Sequence, residues 1–354
     1  MKTISIQSPF GDCLVCPGAP FETLEGLAPL KDAVIITDDR VWELYRDIFP
    51  PAPVIRIGRG EAAKTLETVR DVYDALKRLG AGRHSFIVGV GGGIVCDIAG
   101  FAASTYLRGL GFGLAPTTLL AQVDAAIGGK NGVNFEGYKN LVGVFRQPGF
   151  VISDPAFLKT LPPEEMACGM AEAVKHAAIM DPAHFSFIET HCDDITALDM
   201  DALKTLVRDS AAIKTAIVNR DPGEGHERKK LNFGHTFGHA LEKTLEISHG
   251  RAVAMGMALA AALSVEKGLL APNARDRLLA LLNRLKLPSN PVIEAGINNK
   301  QAVLDAIGKD KKRTRHAIDF VLLKDIGRAE IRPVSLGELE AFLDRAAASP
   351  SSGP

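Results

Sequence analysis

FIVGVGGGIVCD, residues 86–97, decides the fold. Phe86 to Val90 is a short apolar run of the kind that forms a buried parallel strand, and it enters Gly91-Gly92-Gly93 ahead of a second helical stretch, Ile94 to Tyr106. Glycines at a strand-to-helix turn let backbone N–H groups approach a phosphate closely, and the helix N-terminus adds partial positive charge. The turn is a diphosphate site in outline. The strict GxGxxG pattern is not met, because Ile94 holds the last glycine position and no acid follows about twenty residues on. Asp38, just beyond an apolar run at Ala33 to Thr37, adds a carboxylate suited to a ribose diol. Asp39 beside it is an equal candidate, and either acid also reads as an exposed turn residue.

Outward from this turn, Pro53 to Ile57 reads as another strand, Glu61 to Leu79 as an amphipathic helix and Phe112 to Ala115 as a short strand ending at Pro116. The pattern predicts an α/β N-terminal nucleotide-binding domain with a parallel sheet, over 1–155. From about Leu161 the chain becomes alanine-rich with helical periodicity: Pro163 to Met180, Leu203 to Val218, Leu231 to Leu245, Ala252 to Lys267 and Ala274 to Leu285. This predicts a mostly α-helical C-terminal domain over 156–354, closing with a β-hairpin whose arms, Ala317 to Leu323 and Ala329 to Pro333, flank Asp325-Ile326-Gly327. The final AAASPSSGP reads as disordered.

Composition narrows the partners. The 354 residues carry a net charge of -1, so no global basic field gathers nucleic acid or an anionic membrane. No apolar run reaches membrane-spanning length, no signal-peptide core is present, and five cysteines are too few and too scattered for a disulfide framework. A cytoplasmic protein is expected. Cys13 and Cys16 form a CxxC without the context of a zinc or redox site, and read as two thiols in an N-terminal strand or turn.

Against that neutral background a set of polar residues sits among glycines and small aliphatics: Arg108, Asp124, Lys130, Lys139, Asn140, Glu172, Lys175, Lys214, Arg228, Asn232, His235, His239, His249 and Lys312. Cations next to tight glycines, as in AAIGGKNGVN and GYKN, suit phosphate and carboxylate recognition. His235 and His239 share one helix face, His249 follows in ISHG, and Glu172 is an acid on an alanine-rich helix. Three histidines and an acid form a ligand set that suits zinc, while an HxxxH pair alone is more often a hydrogen-bonded core pair.

These residues resemble the 3-dehydroquinate synthases and their sugar-phosphate cyclase relatives. The dense match runs from about Gly60 to Gly327 through GEAAKTLE, GVGGGIVCDIAGF, STYLRG, PTTLLAQVDAAIGGKNGVN, GYKNLVGVF, LKTLP, GMAEAVKH, LNFGHTFGHALE, SHG and DKK. The resemblance implies Zn2+ or Co2+ held by Glu172, His235 and His249. It implies NAD contacts from Asp38, Glu61, Lys64, the Gly91 to Asp97 turn with Gly92, Gly93, Ile94 and Asp97, Thr117, Thr118, Lys130, Lys139, and the Phe157 to Thr160 segment. Substrate contacts would come from Arg108, Asp124, Lys130, Asn140, Lys175, Lys214, Arg228, Asn232, His239 and Lys312, with Lys139 also assigned to the catalytic set.

The implied reaction converts a seven-carbon phosphorylated keto acid by transient oxidation, phosphate elimination, re-reduction and intramolecular aldol closure, in a homodimer that binds neither nucleic acid nor membrane. The lysines and Arg108 would position the phosphate, and Arg228 the carboxylate. Three departures from the commonest pattern are Arg251 after His249-Gly250, Cys96 in the nucleotide turn, and the Asp221 to Glu227 loop. The rival expectations are a cyclase acting on sedoheptulose 7-phosphate or glucose 6-phosphate, the latter of the 2-deoxy-scyllo-inosose type, a metal-dependent polyol dehydrogenase, and a non-catalytic descendant.

Overall fold

A computed structural model describes residues 3–289, 300–308, 313–314 and 317–348. The chain divides into two compact units, Met1–Met166 with Leu198–Glu224, and Ala167–Ala197 with Gly225–Pro354.

The first unit is built on a seven-stranded sheet. Its strands are β1 (Ile4–Ser8), β2 (Gly11–Pro17), β3 (Ala33–Asp38), β4 (Val54–Ile57), β5 (Phe86–Gly91), β6 (Gly111–Pro116) and β9 (Phe150–Ser153), in the spatial order β1-β2-β9-β6-β5-β3-β4. β1 pairs antiparallel with β2, and the other pairings are parallel. β3 and β5 are buried almost throughout because both faces of the sheet are covered. Period-two alternation sends Val34, Ile36 and Ile87 into one core with Val72, Leu76 and Ile98, and Ile35, Val88 and Val90 into another with Phe21 and Phe157. Cys13 and Cys16 lie in β2, buried and free, and burial raises both thiols above their ordinary range.

The helix expected from Glu61 begins later, at Leu66, and runs to Arg78. Gly60, at φ 74°, turns the chain into a single 3-10 turn at Glu61–Ala63, and Thr65 Oγ1 then accepts from Thr68 N at 3.2 Å as the cap. The glycine turn behaves as read, with β5 ending at Gly91, Gly92 as cap and a helix over Gly93–Thr105. Much of its glycine content serves close packing. A Cβ on Gly89 would lie 2.8 Å from Ala99 Cβ, and one on Gly91 2.5 Å from Val95 Cγ2.

The AAIGGKNGVN and GYKN segments, to which the sequence assigns no secondary structure, contribute to a two-stranded hairpin, β7 (Lys130–Phe135) and β8 (Tyr138–Phe145). Helix Met200–Arg220 follows the Ala167–Ala197 stretch of the other unit in sequence yet packs in the first unit, with Ala211 and Val218 in the core beside Ile6 and Val15. Asn219 on it donates to Ser5 O and accepts from Gln7 N, both at 3.0 Å, satisfying backbone of edge strand β1.

The second unit is helical, as expected, with a small sheet β10-β11-β12 (Arg313–Thr314, Ala317–Asp325, Arg328–Val334). Its core joins Phe237, Met255, Leu259 and Leu263 to Phe320, Leu322 and Phe342. The helix expected from Leu231 starts at His235, because Glu227–Asn232 is a separate 3-10 turn and Gly234 takes a left-handed φ of 78°. The last helix, Leu336–Ala348, passes the point at Ala346 where a disordered tail was expected; the rest of that tail lies outside the described residues. Among the described residues, no helix is long and apolar enough to cross a membrane.

Candidate active site

In the first unit the expected nucleotide residues converge because of the strand order. β3 connects to β4 on one side and its neighbour β5 connects to β6 on the other, so the chain leaves these two adjacent strands in opposite directions and opens a crevice at their carboxyl ends. Asp38 ends β3, Gly91 ends β5, and Thr117 and Thr118 follow β6. Asp38 Oδ1 accepts from Val41 N at 2.9 Å, whereas Asp39 lies on the next helix, 3.6 Å from Arg56, so only Asp38 stands at the strand end. A Cβ on Gly92 would lie 3.1 Å from Thr118 Cγ2 and one on Gly93 3.3 Å from Ala125 Cβ. These bare positions form a cradle open to close backbone approach. Cys96 is buried, donates to Gly91 O at 3.7 Å and has its thiol pushed up by burial, so it fits the turn as an inert packing group.

Phe157 and Thr160 lie in the turn Pro155–Thr160, held by Tyr45, whose hydroxyl is 2.5 Å from Thr160 Oγ1 and donates to Phe157 O at 3.2 Å.

Beside this cradle runs a chain of polar contacts. Lys64 Nζ lies 2.5 Å from Asp97 Oδ2 and donates to Asn140 Oδ1 at 2.5 Å. Burial raises the Asp97 carboxyl above its ordinary range, while Lys64 pulls it back down. Asn140 sits at φ 53°, and its N–H donates to Asn134 Oδ1 at 2.9 Å; Asn134 Nδ2 donates to Glu61 Oε1 at 2.7 Å. Lys214 Nζ pairs with Asp124 Oδ1 at 2.5 Å and donates to Asp124 O at 2.6 Å. Lys130 pairs with Glu224 at 2.5 Å. Lys139 is exposed on β8, and Arg108 is exposed on a turn where it and Leu107 both have positive φ.

The second unit carries the acid and the histidines. Glu172 and Lys175 are buried on helix Pro163–Met180 and bonded to each other through Glu172 Oε2. Glu172 Oε1 faces His235 Nε2 at 3.5 Å and His249 Nε2 at 3.4 Å. The far edge of each imidazole is also held: His235 Nδ1 lies 3.3 Å from Phe233 O and His249 Nδ1 lies 3.1 Å from Glu242 Oε2. Donation from Nδ1 leaves each Nε2 lone pair aimed at the shared centre, the arrangement a metal-binding histidine needs. One donor atom from each of Glu172, His235 and His249 lies within 4.8 Å of the other two.

The two imidazoles differ in charge preference. Burial and then Lys175 hold His235 well below 6.5, whereas at His249 the bonds to Glu172 and Glu242 outweigh burial and raise it to about 9. His239 is exposed, its ring 5.2 Å from that of His235. Arg228 is buried on the turn Glu227–Asn232, and Asn232 closes that turn. Arg251 is exposed on the first turn of the His249 helix. Lys312 lies outside the described residues.

Two contributors went unassigned in the sequence reading. Glu242 stands inside LNFGHTFGHALE, three residues past His239, and that i, i+3 spacing on a helix was the available signal. Asn134 ends the GGKNGVN segment at a register shift of the hairpin, and only its side-chain hydrogen bonds reveal it.

A doubly wound sheet with a glycine cradle, in one chain with a helical unit bearing a carboxylate and two oriented imidazoles, defines a class of enzyme fold with a candidate nucleotide site and a candidate metal centre. Residues 54–168 match the 3-dehydroquinate synthase N-terminal family and 169–313 the 3-dehydroquinate synthase C-terminal family. The 3-dehydroquinate synthase of Halorhodospira halophila is 41% identical over 308 residues, 84% of this chain and 85% of that protein. The chain therefore belongs to the 3-dehydroquinate synthase family. Among solved structures, 2-epi-5-epi-valiolone synthase from Streptomyces hygroscopicus, with NAD+ and Zn2+ bound, is 29% identical at a TM-score of 0.84, covering 98% of this chain and 99% of its own. A 2-deoxy-scyllo-inosose synthase with carbaglucose-6-phosphate, NAD+ and Co2+ is 26% identical at 0.82, covering 97% and 100%.

Proposed function

We propose that this protein is an NAD- and divalent-metal-dependent lyase that converts 3-deoxy-D-arabino-heptulosonate 7-phosphate to 3-dehydroquinate and phosphate, a step of aromatic amino acid biosynthesis. The observation that carries the reading is the convergence of Glu172, His235 and His249, each fixed by a further partner. When bound, NAD supplies a hydride acceptor restored within the turnover, and Zn2+ or Co2+ supplies a Lewis acid for a substrate hydroxyl.

The chain's own residues hold and orient. Glu172, His235 and His249 form the metal site, and Lys175 fixes the Glu172 carboxylate. Asp38, Glu61, Lys64, Gly92, Gly93, Ile94, Asp97, Thr117, Thr118, Lys139, Phe157 and Thr160 form the nucleotide site, where the glycine cradle receives the diphosphate. Arg108, Lys130, Lys214, Asn140 and Lys312 bind the phosphate that leaves, and Asp124 orients Lys214. Asn232 and His239 bind the substrate hydroxyls. Buried Arg228 offers a planar fork to the substrate carboxylate.

Arg228 also separates this reading from the second one, a cyclase of sedoheptulose 7-phosphate or glucose 6-phosphate, which the likeness to the two solved cyclases favours. Those substrates have no carboxylate for that fork. A polyol dehydrogenase has little use for the lysine-rich half of the site.

The deciding experiment mixes the purified protein with the keto acid phosphate, NAD and zinc or cobalt, and follows phosphate and reduced nicotinamide together. Phosphate released without accumulation of NADH is the expected result. No phosphate, with turnover of a sugar phosphate instead, establishes the second reading, and net NADH from a polyol establishes a dehydrogenase.

We further place the protein in the cytoplasm, where its five free cysteines stay reduced. We infer a homodimer, because Leu107, Phe135, Tyr138, Leu141 and Phe145 expose large apolar side chains on the β7–β8 hairpin and the Arg108 turn. Sedimentation equilibrium at twice the monomer mass is expected, and a monomer overturns it.

A further inference from the structure

Asn140 takes a left-handed backbone, φ 53°, on an exposed hairpin strand, and its side chain meets Lys64. Asparagine is among the few residues besides glycine that adopt left-handed backbone routinely, and here a neighbouring side chain holds it there. The neighbour here is Asn134, on the other strand of the hairpin where its register shifts. Its Oδ1 accepts the Asn140 N–H at 2.9 Å, its Nδ2 donates to Glu61 Oε1 at 2.7 Å, and its own N–H donates to Lys64 O at 2.9 Å. One carboxamide thus bonds to the hairpin with its oxygen and to the Glu61–Lys64 segment with its nitrogen.

Lys64 closes the circuit. Its ammonium reaches Asp97 on the helix of the glycine turn and Asn140 on the hairpin. A shift of the hairpin by one hydrogen-bond length would leave Lys64 with Asp97 alone and Glu61 without its partner amide.

We propose that Asn134 is a positioning residue that sets the substrate-binding hairpin in register with the nucleotide-binding Glu61–Lys64 segment, through its oxygen on one side and its nitrogen on the other. This rests on the assignment of Glu61 and Lys64 to NAD and of Asn140 to substrate. Asn134 need not touch either ligand. Its two ends act on different ligands, so they are separable by substitution. Asn134→Asp keeps an oxygen for the Asn140 N–H but loses the donor to Glu61 and sets two carboxylates together. Asn134→Ala loses both ends.

The test compares the two variants with the parent in three measurements: NAD affinity by titration calorimetry, KM and kcat for the keto acid phosphate, and amide hydrogen exchange across β8. Asn134→Asp is expected to weaken NAD about tenfold while KM for substrate stays within about twofold and the Asn140 amide stays protected. Asn134→Ala is expected to weaken NAD by a similar factor, to raise KM about tenfold, and to speed exchange at Asn140. The proposal is overturned if both variants move NAD affinity and KM in parallel, as a loss of folded protein would, or if neither moves. The exchange measurement needs no ligand. If the parent binds no NAD, the functional assignment fails, while unaltered protection of Asn140 in Asn134→Ala overturns the brace itself.

Discussion

The Glu242 carboxylate lies 3.1 Å from His249 Nδ1, on the edge of the imidazole opposite the one that faces Glu172. Partners of that kind fix the tautomer and raise the basicity of a histidine ligand, and their loss typically costs about 10–100-fold in metal affinity. Glu242→Ala is therefore expected to weaken zinc binding by that range in a chelator competition while leaving the helix His235–Leu245 intact by circular dichroism. Affinity equal to the parent's would reduce Glu242 to a packing residue.

The same contact sets a pH dependence. A histidine raised to about 9 stabilises the metal-free fold fully below its ordinary 6.5 and loses that contribution as pH climbs through about 9. Metal binding needs the neutral ring, so below about pH 9 each ion displaces one proton from His249. His235, held well below 6.5, has no proton to give in that window. Zinc affinity should thus rise by up to about tenfold per pH unit from about 7 to about 9, with close to one proton released per ion in weakly buffered solution. Affinity flat across that interval would contradict a charged His249.

Arg228→Ala should damage turnover of the keto acid phosphate selectively. Removing a buried charge that pairs with a ligand carboxylate costs roughly 2–5 kcal/mol, so kcat/KM is expected to fall by two or three orders of magnitude. Because the side chain is buried, Arg228→Lys serves as the fold-preserving companion, keeping charge but losing the bidentate fork. Unchanged kcat/KM in both variants would withdraw the carboxylate role and favour a sugar phosphate.

Gly91→Ala tests the cradle. The added Cβ would lie 2.5–2.9 Å from the Val95 side chain, a β-branched group on the first turn of the following helix with little room to swing aside. Overpacking of this kind costs about 1–3 kcal/mol, so a lower melting temperature is expected together with weaker NAD binding. A variant as stable as the parent that binds NAD equally well would show that the turn is looser than its packing indicates.

The sequence by itself determined the parts of this protein that local chemistry dictates. Apolar runs at Ala33, Phe86 and Phe112 became parallel strands, the glycine run after Val90 became a strand-to-helix turn, and the alanine-rich stretches became helices, because periodicity and backbone freedom act over a few residues. Motif by motif, it also named Glu172, His235 and His249. Only the tertiary structure showed that Asp38 ends its strand while Asp39 lies on the next helix beside Arg56, a distinction the residues alone left open. It alone moved helix Met200–Arg220 into the first unit, where a helix is claimed by whichever apolar surface it can cover. It also showed the contact of Asn134 with Glu61, because a hydrogen bond between residues distant in sequence leaves no trace in either residue's neighbourhood until the chain has folded.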